Sequence, residues 1–412
     1  MILLPRADVQ AAGRSVAFRL LTAAIQGGQA HPERWPHTLS GPPPVFEPRT
    51  PKSFAETIAM SDQQHEEQQF GHTQPGRVAI VGDGQMGLVC ACILDAQGIS
   101  STLWGYFADY MHNVMQTRVS PRYLPDIRLP ETVRLTADDD RIFRDATLIV
   151  NAVPTQHIRS AFGRLREHVP AGVPIVSVAK GIETDTLLRP SEVLADVLND
   201  DPDQAARSYA ALSGPTIAKE LARCLPATMI AASDDINLAR TVQTAFNTEW
   251  LRIYTHTDML GVELAGAMKN VIAIAAGIVD GLQAGFNAKS ALLARGLAEI
   301  TRLGVAMGAT QETFFGIAGV GDLATTCFSP IGRNRSCGEQ LGKGMKLQEI
   351  IESSDSVVEG VPTSKAVMIL AEKYGVEMPI AAAVHAVLFE GLDPIDGITR
   401  LMSREPKAEH IG

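Results

Sequence analysis

The sequence has few cysteines, few aromatic residues and no excess of positive charge. Its 412 residues include five cysteines, 5% aromatic residues and a formal net charge of −10. The cysteines are odd in number, scattered and without the spacing of zinc ligands, so no disulfide framework and no metal site are predicted. A reduced, cytoplasmic compartment suits them best. They are Cys90, Cys92, Cys224, Cys327 and Cys337.

The acidic balance and the lack of a long apolar run argue against two further classes of protein. General nucleic-acid binding is not expected from an acidic chain, so any affinity for phosphate groups must come from local sites. The longest apolar stretch, AGAMKNVIAIAAGIV at 265–279, is too short and too rich in Gly and Ala to predict a membrane span. The composition, with 45% hydrophobic residues and 35 glycines, is typical of an α/β enzyme.

Residues 1–75 differ from the rest of the chain. They contain a run of three prolines and the polar stretch SDQQHEEQQ, with little sustained periodicity. This composition predicts a disordered or weakly structured extension. Arginines near the start would suit a targeting peptide, but no secretory-type apolar core follows them. We expect the extension to take no part in the chemistry, and Met60 is an alternative start of translation.

From residue 76 onward, β-runs alternate with helical patterns. The runs are RVAIV, STLWG, ATLIVNAVP, PIVSVAKG, SYAALSGP and PATMIAA. This alternation predicts a Rossmann-type, doubly wound parallel sheet over 76–255. Long helical patterns then follow at 262–281, 288–307 and 363–374. A largely α-helical C-terminal domain is therefore predicted over 256–412. We expect this domain to bind the substrate and to contain the catalytic residue.

A glycine turn joins the first strand to the first helix. Gly82, Gly84 and Gly87 match G-x-G-x-x-G in the context of strand, turn and helix, with Gln85 and Met86 inside the turn. The glycines permit a tight turn, close approach of a pyrophosphate and close helix packing, and the anion binds at the helix N-terminus. The turn therefore predicts NAD or NADP as cofactor.

The choice between NAD and NADP stays open at this point. An NAD site usually has an acid at the end of the second strand, whereas an NADP site has an arginine nearby. The chain has neither in Leu103-Trp104-Gly105-Tyr106-Phe107, and Asp109 lies slightly too far along.

Polar motifs follow several of the predicted strands, at the edge of the sheet where ligands bind. Lys180 comes after an apolar strand and suits either a phosphate contact or a solvated loop. The segment from Ser213 to Thr216 suits either a helix cap or a ligand contact.

Lys269 is the one charge in the apolar run of 265–279. On a helix its side chain would extend over Ala265 and Gly266, which leave space for a ligand. Partial burial would lower its pKa toward that of an acid–base catalyst. The alternative is a lysine that reaches the surface or pairs with a structural carboxylate.

Two later segments carry further candidates. Asp322 follows a glycine turn and suits either a helix cap or a partner that orients Lys269. Gly332-Arg333-Asn334 offers a guanidinium suited to phosphate recognition, although such a cluster is also typical of a solvated surface.

Together these segments resemble a known family. VGDGQMG, NAVPTQHIR, AKGIE, LSGPTIAKEL, GVELAGAMKNVIAIAAGIVDGL, NAKSALLARGLAEITRLG, GIAGVGDLATTC, GRNRSCG and VVEGVPT occur in the order found in bacterial-type NAD(P)-dependent glycerol-3-phosphate dehydrogenase. The resemblance runs from about Arg77 to about residue 395. It implies reversible hydride transfer between NAD(P)H and dihydroxyacetone phosphate, giving sn-glycerol 3-phosphate for glycerophospholipid synthesis.

The resemblance also implies roles for individual residues. Lys269 corresponds to the catalytic lysine, which exchanges the proton of the substrate oxygen. The substrate-binding positions correspond to Lys180, Gly214, Thr216, Lys269, Asp322, Gly332, Arg333 and Asn334. The cofactor-binding positions correspond to Gly82, Gly84, Gln85, Met86, Gly87, Lys180, Ala218, Arg333, Val357 and Glu359.

Three positions depart from the family pattern. Gly332 replaces a serine and removes a hydroxyl contact, Tyr106 replaces an arginine, and Gln85-Met86 replace a small polar residue and an aromatic. Two alternatives remain: a related dehydrogenase with another substrate, such as a 2-hydroxy or 3-hydroxy acid, and a non-catalytic dinucleotide-binding sensor. A cytoplasmic homodimer without nucleic-acid partner or membrane span is expected.

Overall fold

The strands predicted after residue 76 pair into one sheet in the computed structural model, which describes residues 74–199, 207–353, 357–405 and 408. Residues 1–73, nearly all of the predicted extension, lie outside the described residues. The described residues belong to one compact unit.

Most of the strands are short. In chain order they are β1 (Arg77–Val81), β2 (Ser100–Trp104), β3 (Val119–Ser120), β4 (Leu124–Arg128), β5 (Arg134–Thr136), β6 (Leu148–Asn151), β7 (Ile175–Ser177), β8 (Tyr209–Ser213), β9 (Ala227–Ala232) and β10 (Leu251–His256).

The helices form two groups. Those that alternate with the strands are α1 (Gln85–Ala96), α2 (Ala108–Thr117), α3 (Ile158–Leu165), α4 (Pro190–Leu198), α5 (Ala218–Leu221) and α6 (Ile236–Phe246). Those that follow the last strand are α7 (Met259–Gly281), α8 (Gly285–Ala306), α9 (Gln311–Phe315), α10 (Asp322–Phe328), α11 (Arg333–Gly342), α12 (Leu347–Glu352), α13 (Gly360–Tyr374), α14 (Pro379–Phe389) and α15 (Pro394–Met402).

The main sheet has eight strands in the order β10-β9-β8-β7-β6-β1-β2-β5, and β3 and β4 form a separate antiparallel pair. The chain passes from β1 to β2 on one side and later returns to β6 on the other. This reversal of strand order creates a crevice outside the carboxyl ends of β1 and β6, where ligands bind in open α/β sheets.

Helices cover both faces of the sheet because successive side chains of a strand point to opposite faces. Val78 and Ile80 of β1 pack in one apolar cluster with residues of α1 and α6. Ala79 and Val81 pack in another with residues of α3 and α4. The predicted fold class, a Rossmann-type doubly wound parallel sheet followed by a largely helical region, is confirmed, with a sheet that is parallel in all but one pair of strands.

One pair of strands differs from the expected parallel arrangement. β9 runs antiparallel to β8, whereas the other neighbouring pairs of the eight-stranded sheet are parallel. A parallel connection needs a crossover that returns the chain along the length of the sheet. The helix between β8 and β9, α5, has four residues and rises only about 6 Å, so β9 runs back alongside β8 instead.

The helix α7 forms the centre of the helical region. Its first turn is capped by Asp258, whose Oδ1 accepts a hydrogen bond from the Gly261 N–H at 2.8 Å. α8, α10, α11 and α13 all pack against it. Glycines allow α11 to approach very closely, since a Cβ atom added to Gly338 would lie 1.9 Å from the Ile274 carbonyl oxygen. Among the described residues, α7 is long and apolar enough to cross a membrane, but its apolar window is entirely buried, as in the core helix of a soluble protein.

Candidate active site

The glycine turn has the geometry that its sequence predicts. Gly82 has a φ of +113°, and a Cβ atom there would lie 2.9 Å from the backbone of Ala152. A Cβ atom at Gly87 would lie 1.9 Å from the Gly82 carbonyl oxygen, whereas at Gly84 it would meet nothing within 4 Å. Two glycines therefore serve backbone packing, and the space beside Gly84 lets a ligand approach the main chain.

The turn leads directly into α1, a helix of 12 residues whose N-cap, Gly84, provides no side-chain cap. Its first turn contains no acidic residue, so the backbone N–H groups and the helix dipole favour an anion there. The Gln85 amide donates to the Tyr123 carbonyl at 3.1 Å, and Met86 packs against the apolar cluster of the sheet.

Two lysines share one buried carboxylate beside this crevice. The Lys269 ammonium donates to Oδ1 of Asp322 at 2.5 Å, and the Lys180 ammonium donates to Oδ2 at 2.7 Å. Lys180 follows β7, Lys269 lies within α7 and Asp322 begins α10. Three separate elements thus meet at one carboxylate that is 1% exposed.

The smallest side chains of α7 provide space for this arrangement. A Cβ atom added to Gly266 would lie 3.1 Å from the Ser213 hydroxyl and 3.5 Å from Cγ of Lys180. The space that the sequence predicts over Gly266 is therefore filled by Ser213 and the side chain of Lys180, not by the ammonium of Lys269. Lys180 also donates to the Gly214 carbonyl at 2.9 Å, which fixes its ammonium at the end of β8.

The pKa of Lys269 is lowered to about 8, because burial and the positive charge of Lys180 together outweigh the opposing effect of Asp322. The side chain is 7% exposed. An ammonium of this kind releases its proton far more readily than a surface lysine, so Lys269 can act as an acid or a base near neutral pH.

Thr326 and Asn270 are contacts of the two lysines that the sequence analysis missed. The Thr326 hydroxyl accepts from the Lys269 ammonium at 2.6 Å, and the Asn270 amide donates to the Lys180 carbonyl at 3.1 Å. Thr326 lies one helical turn after Asp322, a spacing that could have revealed it. Asn270 adjoins Lys269 in sequence but points elsewhere, so only its tertiary contact identifies it.

The segment of Arg333 and Asn334 begins α11. The Arg333 guanidinium donates to the Val357 carbonyl at 3.2 Å. Asn334 is buried, donating to Oδ1 of Asn270 at 2.9 Å and accepting from the Gly360 N–H at 2.9 Å. Asn270 therefore connects Asn334 to Lys180 through two hydrogen bonds. A Cβ atom at Gly332 would lie no closer than 3.4 Å to other atoms.

Glu359 lies beside the loop that follows β6. Its Oε1 atom accepts from the Thr155 N–H at 2.9 Å, while Oε2 is buried without a partner among the described residues. Burial raises the pKa of Glu359 to about 7, although the Thr155 N–H and the charge of Arg333 oppose this. The Thr155 and Ser213 hydroxyls are likewise buried without a described partner. Such unpaired polar atoms suit a polar ligand like a dinucleotide.

The remaining predicted residues follow β8 and, among the described residues, make no hydrogen bond to the shared carboxylate itself. Gly214 has a φ of +143°, and the Thr216 hydroxyl donates to its carbonyl at 3.1 Å. Ala218 begins α5 and packs against the sheet. Direct hydrogen bonds thus join Lys180, Gly214, Lys269 and Asp322, whereas Thr216 bonds within its own turn and Ala218 makes an apolar contact.

Comparison with known proteins agrees with this architecture. Residues 77–239 match the family described as NAD-dependent glycerol-3-phosphate dehydrogenase N-terminus, and residues 258–399 match the corresponding C-terminus. The chain belongs to this family. It is therefore an NAD(P)-dependent oxidoreductase, as the glycine turn and the order of the motifs predict.

Similar proteins come from several bacteria. The chain is 46% identical over 333 residues to glycerol-3-phosphate dehydrogenase [NAD(P)+] 2 of Salinibacter ruber, covering 81% of this chain and 96% of that protein. It is 42% identical over 337 residues to glycerol-3-phosphate dehydrogenase [NAD(P)+] of Streptomyces coelicolor, covering 82% and 99%. The crystal structure of glycerol-3-phosphate dehydrogenase from Coxiella burnetii superposes with a TM-score of 0.76 at 35% identity, covering 80% of this chain and 99% of that one.

Proposed function

We propose that the protein interconverts dihydroxyacetone phosphate and sn-glycerol 3-phosphate with NAD(P)H and so supplies glycerophospholipid synthesis. The observation that carries the proposal is the buried Asp322 carboxylate shared by the Lys180 and Lys269 ammonium groups. Membership of the glycerol-3-phosphate dehydrogenase family supports the same reaction.

The cofactor fits the crevice beside the glycine turn. The turn of Gly82, Gly84 and Gly87 with the N-terminus of α1 would hold the pyrophosphate, and Glu359 with the Thr155 loop would contact the nicotinamide end. The unpaired Oε2 of Glu359 is the observation that favours a polar group there. When bound, the reduced cofactor supplies a hydride to the carbonyl carbon of the substrate.

Lys269 acts as the proton donor for dihydroxyacetone phosphate reduction. Its Nζ donates to Asp322 and Thr326, which leaves one N–H of the ammonium for the carbonyl oxygen of the substrate. As that oxygen gains negative charge, the ammonium stabilises it and transfers a proton from Nζ. General acid catalysis of this kind contributes about 10²–10⁴-fold to the rate. In the reverse direction the neutral amine removes the hydroxyl proton.

Lys180 and Arg333 provide positive charge for the phosphorylated substrate. The Lys180 ammonium, which donates to Asp322 and Gly214, keeps one N–H for a ligand. Arg333 begins a helix of ten residues, so its guanidinium and the helix N-terminus together favour a phosphate. Gly332 adds no hydroxyl there, which leaves recognition to these charges and to the main chain.

The test is oxidation of NADH and NADPH, followed by absorbance, with dihydroxyacetone phosphate as substrate. Turnover is expected, and a keto acid without phosphate is not expected to support it. Turnover with the keto acid alone would identify the chain as a 2-hydroxy or 3-hydroxy acid dehydrogenase. Cofactor binding without turnover on any phosphotriose would identify a sensor. Either result would overturn the proposal.

We also propose that the protein acts as a cytoplasmic homodimer. Exposed apolar side chains of the helical region, such as Phe286, Phe328 and Ile331, support association, and the odd, scattered cysteines suit a reduced compartment. Sedimentation equilibrium checks the assembly, because a monomer at micromolar concentration would contradict it. Fractionation of cells that express the full chain checks the compartment.

A further inference from the structure

A carboxylate is buried between the glycine turn and the end of β2. Asp83 occupies the second position of the turn, and its Oδ2 atom is buried without a hydrogen-bond partner among the described residues. A Cβ atom added to Gly105, the first residue after β2, would lie 2.7 Å from this oxygen. The Asp83 carboxylate therefore rests directly against the carboxyl end of the second strand.

This place in the fold determines how a dinucleotide enzyme recognises the adenosine ribose. NAD sites have an acid near the end of the second strand that accepts a hydrogen bond from the ribose 2′-hydroxyl. β2 and the residues after it offer no acid, since Trp104 is followed by Gly105, Tyr106 and Phe107. We propose that Asp83, contributed by the glycine turn, is the acid that accepts this bond and that the protein consequently prefers NAD(H) to NADP(H). The inference rests on the cofactor site of the proposed function.

The carboxylate lacks enough favourable contacts of its own. Burial raises the pKa of Asp83, while its own backbone N–H and the charge of Arg122 oppose this rise. A hydroxyl donor on Oδ2 would satisfy the unpaired oxygen. The dianionic 2′-phosphate of NADP(H) has no proton to donate to this oxygen. Its negative charge would also repel the carboxylate.

The Arg164 guanidinium, which lies at the end of β2, is already engaged. Arg164 donates to both carboxylate oxygens of Asp139, at 2.7 Å and 2.8 Å, and to the Tyr106 carbonyl at 3.1 Å. It also stacks at 5.1 Å from the centroids of the Trp104 and Tyr106 rings. Because Asp139 neutralises its charge, Arg164 offers a 2′-phosphate little net attraction, which also favours NAD(H).

The experiment compares kcat/KM for NADH and NADPH, at saturating dihydroxyacetone phosphate, in the parent protein and in two variants. The parent should favour NADH. Asp83→Asn should lower the ratio of kcat/KM for NADH to kcat/KM for NADPH by about tenfold. The change should arise chiefly from a lower KM for NADPH, because the variant lacks the negative charge that repels the 2′-phosphate. Asp109→Asn is the matched control, since Asp109 is an exposed acid at the start of α2. Its ratio should stay within about twofold of the parent ratio, because exposed charges are screened.

Three results would overturn the inference: equal or better use of NADPH by the parent, an unchanged ratio in Asp83→Asn, or an equally large change in Asp109→Asn. A second measurement does not depend on turnover. Calorimetric binding of 5′-ADP and 2′,5′-ADP should show that Asp83→Asn gains affinity for 2′,5′-ADP relative to 5′-ADP. Binding of both fragments without turnover would contradict the proposed reaction but not the role of Asp83, whereas binding of neither would contradict both.

Discussion

Replacement of Asp322 by asparagine tests the electrostatic basis of the proposed site. The carboxylate is 1% exposed and accepts hydrogen bonds from two ammonium groups, at 2.5 Å and 2.7 Å. The negative charge of Asp322 raises the pKa of Lys269, whereas burial and the positive charge of Lys180 lower it. Asparagine keeps the size of the side chain and removes the opposing charge, so the pKa of Lys269 must fall.

The expected size of this fall follows from the contact. An opposite charge within about 4–6 Å changes a pKa by about 1–3 units. Starting from a pKa of about 8, a fall of one unit reduces the protonated share of Lys269 at pH 8 from about half to about one tenth. Removing one partner of a buried ion pair also destabilises a fold by about 3–5 kcal/mol, so the melting temperature should drop.

The assay is the pH profile of kcat/KM for dihydroxyacetone phosphate reduction at saturating reduced cofactor. In the parent, activity should decline as pH rises through about 8, because the reaction needs the ammonium form of Lys269. In Asp322→Asn this decline should begin at least about one unit lower. Thr326→Val is the control, since it removes a neutral contact of the same ammonium and should move the midpoint by well under one unit. A lower melting temperature with an unmoved midpoint would refute the reasoning.

Other predictions address Lys269, helix packing and Glu359. Lys269→Met should lower kcat by about 10²–10⁴-fold with little change in cofactor affinity, and a loss below about tenfold would contradict its role. Gly277→Ala should destabilise the protein by about 3 kcal/mol in urea unfolding, because its Cβ would lie 1.9 Å from the Arg335 carbonyl. In contrast, a Cβ atom at Gly163 would meet no atom within 4 Å, so Gly163→Ala should stabilise α3 by about 0.5–1 kcal/mol. The pKa of Glu359 in the folded protein, about 7, exceeds its ordinary value of 4.5, so the folded protein loses stability as pH rises through that interval. Glu359→Gln should therefore be more stable than the parent at pH 8 but not at pH 4.5. An equal difference at both pH values would count against this.

The local parts of the fold and of the site could be predicted from the sequence. The turn of Gly82, Gly84 and Gly87 depends on backbone conformation and on close contacts within a strand–turn–helix unit. Glycine meets these conditions, so the spacing of the glycines is enough to predict the turn. The strand Leu251–His256 could also have been predicted, since buried Leu251 and Ile253 alternate with exposed Arg252 and Tyr254. The pattern is nevertheless weak, because the run is short and contains a charged residue.

The antiparallel course of β9 could not be predicted from its own residues. Its sequence, ATMIAA, suits a parallel or an antiparallel neighbour equally well. The direction of the strand depends on how far the preceding connection carries the chain. α5 is too short to return the chain along the length of β8 to the end where a parallel strand would begin. Strand direction is thus a property of the connection.

The sequence by itself determined the nature of the chemistry: a glycine turn for a dinucleotide, and a lone lysine among small residues in an apolar helix. Tertiary structure alone decided the partners of these groups. Lys269 and Asp322 are 53 residues apart, and Lys180 and Asp322 are 142 apart. The contact of Asp83 with the end of β2 likewise exists only in the folded chain. The physical reason is that periodicity and turn geometry act over a few residues, whereas burial and charge pairing depend on which distant elements the folded core brings together.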